Sequence, residues 1–466
     1  MSQSPEHAPL YFVLLRGWQH WFGSSVISNR SLSVIFNLLC FPFLYWLCGE
    51  LFKIKEVGKV AIVLFAVSPF FVAYSQEARP YSLWTLTILL SSWALLRAIR
   101  LNQIKNWLLY WVTVIFGLYT SLFTAFILSS STVYVLILEQ FKLSDRLKNY
   151  LIFSGFALMA FIPWLAVIIV NLGRLQDNTN WAIAPMSSLT KLAILIYGFS
   201  TIFFDFLFPE TIDILSMISG SAMTLFILAI LVFATSFVCR KTPRNVHWFI
   251  LCLIAVNPLI LLGIDWILKG QTLATSRYLV PSYLGILLAV SYALASQVFY
   301  SESMEGRRAG IFIFALLVSI GLISCTFYTE THPTYQKGRS RNNQAIAHLI
   351  KKHPVPAIIS EQSNVFNLLS LSHSLNSNLT IYWRSPQDLE TALKPCQSFL
   401  VFNPSPEFIL DLAFDRKSIA DSPLPPLTKE SSWNFEEIYK PKLLTKNDIY
   451  ISLWRLKKID PSCSKN

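Results

Sequence analysis

The chain has 466 residues, of which 54% are hydrophobic, 14% aromatic and only 14% charged, with a formal net charge of +12. A soluble domain carries about 25% charged residues, so a wholly soluble protein is excluded. The basic excess is read as loops that set membrane orientation and face anionic lipid, not as a nucleic-acid surface.

In chain order, residues 1–29 are short, polar at first and amphipathic afterwards, and no cleavable signal sequence is expected there. Long apolar runs follow over 30–328, and 329–466 reads as ordinary soluble sequence. Runs near 20 apolar residues mark spanning helices. They fall at 31–51, 57–75, 82–98, 106–120, 122–139, 150–171, 221–239, 246–264, 279–298 and 309–328. The run 190–208, with Gly198, Ser200 and Thr201, is apolar enough to be ambiguous.

Basic loops resolve it. If 190–208 does not span, Lys53, Lys55, Lys59, Arg97, Arg100, Lys105, Lys142, Arg146, Lys148, Arg240, Lys241, Arg244, Arg307 and Arg308 share one side. The positive-inside rule makes that side cytoplasmic. If 190–208 does span, the last five of these residues move to the wrong face. Residues 172–220 are therefore expected to be one long external segment with a partly buried surface helix, and 329–466 to lie outside the cytoplasm. The setting expected is the cell membrane.

The C-terminal part alternates helical spacing (342–352) with short strand-like runs at 357–360, 379–383, 398–402 and 449–454. That pattern predicts a small α/β domain, with the Pro-rich stretch 423–426 as a loop. It carries no glycine-rich phosphate loop. Cys40, Cys48, Cys239, Cys252 and Cys325 sit in or beside apolar runs as packing residues. Cys396 and Cys463 could pair in an oxidising compartment.

The middles of the spanning runs hold essentially no ionisable side chains, unlike ion-coupled transporters. The expected topology instead gathers three polar clusters on the outer face: Pro5–Pro9, Ser75–Tyr81 and Thr275–Tyr278. Glu77, Arg79 and Tyr81 at a helix end could bind a phosphate head group, since the arginine fork donates two parallel hydrogen bonds. The same spacing fits a membrane-edge turn in which Arg79 snorkels. Glu6 beside His7 could hold a divalent cation or move a proton, or could simply be an exposed N-terminal segment. Arg277, Tyr278, Trp181 and Asp205 are most simply interface residues.

Three stretches carry a family resemblance. "EHAPLYFVLLRGWQHWFGSSVISNRSLSVIF", "VSPFFVAYSQEARPYSLWTLTILLSS" and "ATSRYLVP" resemble, in order, signatures of the family-39-like, protein-mannosyltransferase-type membrane glycosyltransferases. The α/β domain at the end looks like cyanobacterial members. The resemblance covers about residues 5–330 and implies a GT-C fold: an α-helical polytopic bundle of about ten spanning helices with outer-face surface helices, here followed by the small α/β domain at 329–466.

It further implies transfer of a sugar, with inversion, from a polyprenyl-phosphate donor to a lipid, glycan or protein acceptor outside the cytoplasm. For that reaction the candidates in this sequence are Glu6 and Glu77 at the catalytic site, Glu6 as a substitute for the family's acidic pair and Glu77 to position the acceptor or anchor an arginine, with Arg79, Arg277 and His7 on the donor phosphate and Tyr81 and Tyr278 as substrate contacts. A divalent metal would fall on Glu6 and His7. Two departures stand out. The family's usual first helix and its outer-loop acidic pair are expected before the point where the match begins here. A frequent Tyr-Thr-His reads Tyr119-Thr120-Ser121. A truncated or non-catalytic member of a polysaccharide assembly system, or a lipid-linked sugar transporter, remain the alternatives.

Overall fold

The computed structural model describes residues 5–183, 186–205 and 214–329, together with 343–352, 357–361, 364–372, 374–375, 380–383, 398–405, 408, 433–439 and 452–458. The chain divides into two compact units, one comprising Met1–Phe206 with Met217–Glu330, the other Leu207–Ser216 with Thr331–Asn466.

The first unit is helical. Its elements are α1 (Leu10–Phe22), α2 (Val26–Phe52), α3 (Lys55–Ala66), α4 (Pro69–Ser75), α5 (Tyr81–Leu101), α6 (Ile104–Thr120), α7 (Thr124–Leu138), α8 (Asp145–Val170), α9 (Leu172–Thr179), α10 (Ser188–Ser200), α11 (Ile214–Lys241), α12 (Arg244–Leu268), α13 (Val280–Tyr300) and α14 (Met304–Thr329). Each of the ten expected spanning runs falls on helix. Among the described residues, seven helices are long and apolar enough to cross a membrane, or up to nine if each of two bent pairs counts as one.

Some expected spans are corrected. The run 57–75 is not one rod: α3 and α4 meet at 61°. Ser68 before Pro69 is extended, as a residue preceding proline prefers. The break is tied to the segment after α10 by one freed backbone donor and one side chain. Phe70 N–H donates to the Thr201 carbonyl at 3.2 Å, and the Ser68 hydroxyl donates to the Ile202 carbonyl at 2.6 Å. The runs 106–120 and 122–139 become helices of 17 and 15 residues, about 25 Å and 22 Å long against a hydrocarbon core of roughly 30 Å.

α5 and α13 form the centre, with 83% and 89% of their apolar windows buried, whereas the windows of α8, α11 and α14 are only 22% to 28% buried. The outward apolar side chains of these peripheral helices are what a lipid-facing surface requires. Asp205, read as an interface residue, is instead fully buried. Tyr197 Oη donates to its Oδ1 at 3.0 Å, and its own N–H reaches Ser324 Oγ at 3.3 Å. The turn after α10 is thus wedged against α4 and α14.

The basic loops are tied to one another at one end of the bundle. Arg100 at the end of α5 pairs with Glu50 of α2, and Asn149 of α8 donates to Asn102 at 3.1 Å. Tyr300 at the end of α13 donates to Glu56 of α3 at 2.9 Å. Because α5 runs from Tyr81 to Leu101 and α13 from Val280 to Tyr300, Arg79 and Arg277 lie at the opposite end.

The second unit holds α15 (Asn343–Lys352), β1 (Ala357–Ser360), α16 (Val365–Ser372), β2 (Thr380–Trp383), β3 (Ser398–Phe402), β4 (Trp433–Tyr439) and β5 (Leu453–Lys458). The sheet order is β2-β1-β3-β5-β4, parallel across β2, β1 and β3 and antiparallel at β3–β5 and β5–β4. Period-2 alternation splits β3 between two cores: Leu400 and Phe402 pack with Ile346, Ile350, Leu368 and Leu371, and Phe399 and Val401 with Ile359 and Leu456. Of the strand expected at 449–454, residues 449–451 fall outside the described residues and Leu453 opens β5; β4 and α16 were not legible. Cys396, Cys463 and the 423–426 loop fall outside the described residues.

Candidate active site at one end of the bundle

The N-terminal cluster is delivered by α1. Its amphipathic face folds back onto α2: Tyr11 Oη and Ser33 Oγ are 2.8 Å apart, Trp18 Nε1 donates to the Ser28 carbonyl at 3.0 Å, and Gln19 donates to Asn29 at 3.0 Å. Ser33 also donates to the Arg79 carbonyl at 3.4 Å. One serine therefore joins the N-terminal helix to the loop that carries Arg79.

That loop, 76–80, closes between α4 and α5 through Arg79 N–H to the Glu77 carbonyl at 2.8 Å. The Arg79 and Glu77 side chains lie 3.9 Å apart, and Tyr74 and Tyr81 meet edge to face at 4.9 Å. Burial works against the charge on Arg79, but Tyr81 and Glu77 outweigh it and hold the guanidinium above its ordinary pKa, so the cation is retained.

The third strip is the short helical turn before α13. Asp265, in the last turn of α12, accepts from Thr272 N–H at 2.7 Å, Thr272 Oγ1 at 2.6 Å and Leu273 N–H at 2.9 Å. Asn257 Nδ2 donates to the Tyr278 carbonyl at 2.6 Å. The Arg277 guanidinium stands 5.3 Å over the Trp181 ring and 5.4 Å over that of Tyr278, a cation–π arrangement. Phe123 covers Tyr278 at 4.0 Å.

The segment after α8 roofs the cluster. Asn178 Nδ2 donates to Glu6 Oε1 and Oε2 at 3.2 and 3.1 Å. Gln271 N–H and Nε2 hold the carbonyls of Ala182 and Trp181 at 2.8 and 2.7 Å. A side chain at Gly270 would sit 2.5 Å from the Ala182 carbonyl, so only glycine admits this contact.

The sequence-predicted residues do converge. His7 lies 3.9 Å from Glu6 and feels the charges of Glu6, Arg79 and Arg277. Burial, with the two arginines, lowers the His7 pKa more than Glu6 raises it, so the imidazole is neutral at pH 7. It contributes one N–H or one lone pair, not a third cation. Tyr74 and Tyr81 lie within electrostatic reach of Arg277. Trp181, read as an interface residue, is a partner of Arg277. Asn178, Asp265 and Asn257 went unseen, because their roles depend on contacts across 7 to 172 residues of chain. A single acid near the end of an apolar helix was the one available signal for Asp265.

A metal fits poorly. Among the described residues no three His, Cys, Asp or Glu side chains gather as one would require, and the two arginines beside Glu6 and His7 oppose a cation. Beside the cluster, Pro9, Leu10, Val13, Ile115, Phe116 and Tyr119 line an open, wholly apolar groove of about 260 Å³ between α1 and α6.

Residues 6–167 match the family model of dolichyl-phosphate-mannose-protein mannosyltransferases. No curated protein matches the chain. The crystal structure of ArnT from Cupriavidus metallidurans bound to undecaprenyl phosphate is similar at 11% sequence identity and a TM-score of 0.49, covering 97% of this chain and 88% of that one. Residues 6–167 are thus similar to protein-mannosyltransferase-type membrane sequences, as the first two motifs suggested; the match ends before the turn that carries Arg277.

Proposed function

We propose that the chain is an inverting glycosyltransferase that passes a sugar from a polyprenyl-phosphate donor to an acceptor hydroxyl of a lipid, glycan or protein at the outer membrane face. The observation that carries this reading is the meeting of Arg79, Arg277, Glu6 and His7, from three distant parts of the chain, at the bundle end opposite the basic loops. The family match over 6–167 supports the donor class.

In the step proposed, the acceptor oxygen attacks C1 of the sugar and the C1–O bond to phosphate breaks. The acceptor proton passes to a carboxylate, with Glu6 as the base. The polyprenyl phosphate leaves with its charge held by Arg79 and Arg277. Tyr81 and Tyr278 border the sugar, and Glu77 holds Arg79. The apolar groove beside Pro9 gives the isoprenoid tail a surface that costs no polar desolvation. Release of radiolabelled sugar from a polyprenyl-phosphate donor by membranes holding the protein, lost in Arg79 and Arg277 variants, tests the reading. Equal release from both variants and wild type would refute it.

Two expectations follow for membrane placement. A reporter fused after residue 466 should be active outside the cytoplasm. If 190–208 does not cross the membrane, Ser187→Cys and Ser219→Cys should both be labelled by an impermeant reagent from outside. Labelling from opposite sides would reverse every later loop.

A pH effect follows from His7. Its pKa is depressed below 6.5 in the free site, and a phosphate dianion alongside would raise it. Linkage then requires phosphate affinity to rise as pH falls below neutrality. Affinity for undecaprenyl phosphate should gain about three- to tenfold more between pH 7.5 and 5.5 in wild type than in His7→Gln. The variant cancels the titration of the phosphate itself. Parallel profiles would remove His7 from the site.

A further inference from the structure

The geometry points to Asp265 as the positioning residue of the anion-binding turn: its carboxylate sets the backbone at Thr272 and Leu273 so that Arg277 faces the phosphate. This rests on the reading of Arg277 given above. Asp265 is only 3% exposed, and a buried acid in an apolar helix needs strong partners. Its two oxygens find three: Oδ1 takes the Thr272 N–H and hydroxyl at 2.7 and 2.6 Å, and Oδ2 takes the Leu273 N–H at 2.9 Å. The donors at the start of the turn are thereby satisfied from α12.

Asn257, on the same helix about 12 Å away, holds the other end of the turn through the Tyr278 carbonyl at 2.6 Å. Between these two fixed points lies Arg277. The same turn begins with Gly270, whose missing side chain leaves room for the Ala182 carbonyl, and Gln271, which donates to the carbonyls of Ala182 and Trp181. Trp181 is thus brought to 5.3 Å from the Arg277 guanidinium. One carboxylate therefore orients both the arginine and the aromatic ring against it.

The chemistry is specific to aspartate. An amide at 265 offers one acceptor oxygen in place of two, and its NH2 would face a backbone donor. Glutamate carries its carboxylate one methylene further out and loses the register with these three donors. A displacement of about 1 Å in such a group can cost roughly a hundredfold in a reaction that depends on alignment.

The test uses the purified full chain in nanodiscs with undecaprenyl phosphate as the probe. Asp265→Asn should weaken binding by about tenfold in the wild-type background and by less than about twofold in Arg277→Ala, since residues acting through one group are not additive. Thr272→Val, which removes one bond and keeps the fold, should lose about threefold, again only when Arg277 is present. Equal losses in both backgrounds would mean a general loss of structure and would overturn the proposal.

A second readout is independent of the ligand. Ala274→Cys should be labelled about tenfold faster when Asp265 is Asn, read by peptide mass spectrometry at that site; unchanged labelling would also overturn it. If Arg277→Ala itself leaves phosphate affinity unchanged, the functional reading of Arg277 falls. Accelerated labelling would then still uphold Asp265 as the residue that sets the turn.

Discussion

Arg79→Lys is expected to lower turnover by about a hundred- to thousandfold at equal membrane abundance, the usual cost of losing one transition-state donor. The charge is kept, so a purely electrostatic role would predict a mild effect. What lysine lacks is the planar fork that donates two parallel hydrogen bonds. The surroundings of Arg79 are arranged for such a fork. Its backbone is fixed by the Glu77 carbonyl at 2.8 Å and by Ser33 at 3.4 Å, and its side chain is held by Tyr81 and by Glu77 at 3.9 Å. Lysine would keep the ion pair and lose the orientation. If Arg79 only snorkels to lipid phosphate, lysine serves equally, and turnover within about threefold of wild type would return it to that role.

Glu6→Gln is the second large effect expected, a loss of about a hundred- to ten-thousandfold in kcat with donor affinity nearly unchanged. Both Glu6 oxygens accept from Asn178 Nδ2, at 3.2 and 3.1 Å, and His7 stands 3.9 Å away. An amide at position 6 would keep a hydrogen bond to Asn178 and the shape of the site while removing the proton acceptor. Glu77→Gln should behave differently. Glu77 is paired with Arg79, so its loss should raise the donor KM more than it lowers kcat. The split between the two variants separates a base from an anchor. If Glu6→Gln keeps kcat within about threefold, the base is another group and the assignment of Glu6 fails.

Much of the site was legible in sequence because its residues are charged groups at the ends of apolar runs. Glu77 and Arg79 stand out where α4 ends, and Arg277 where α13 begins, since ionisable side chains are expelled from the spanning middles. The basic loops lie at the opposite end of the bundle from these groups. What hydropathy cannot carry is the backbone inside a run. The segment 57–75 is apolar from Val60 to Ala73 but for Ser68, yet it breaks by 61° at Ser68-Pro69, where the freed Phe70 N–H and the Ser68 hydroxyl are met by carbonyls at 201 and 202. Asp205 looked like a membrane-edge acid because its partners, Tyr197 and Ser324, include one 119 residues away.

The sequence by itself determined the two-part organisation, the helical membrane class, the strands β1, β2 and β3, and the identity of the polar groups at the end of the bundle away from the basic loops. Each rests on a local property: hydrophobic length, residue period or charge at a helix end. The tertiary structure decided which of those groups act on one another. Arg277 could have been a lone snorkelling cation; Trp181 at 5.3 Å and a turn pinned by Asp265 and Asn257 make it an oriented one. Glu6 lay in what the sequence allowed as an exposed N-terminal segment, and Tyr11 with Ser33 and Asn178 with Glu6 hold it in the cluster. Local pattern fixes where polar groups can stand, but their pairing depends on helix crossings and close contacts, such as Gly270 against Ala182, that arise only when distant segments pack.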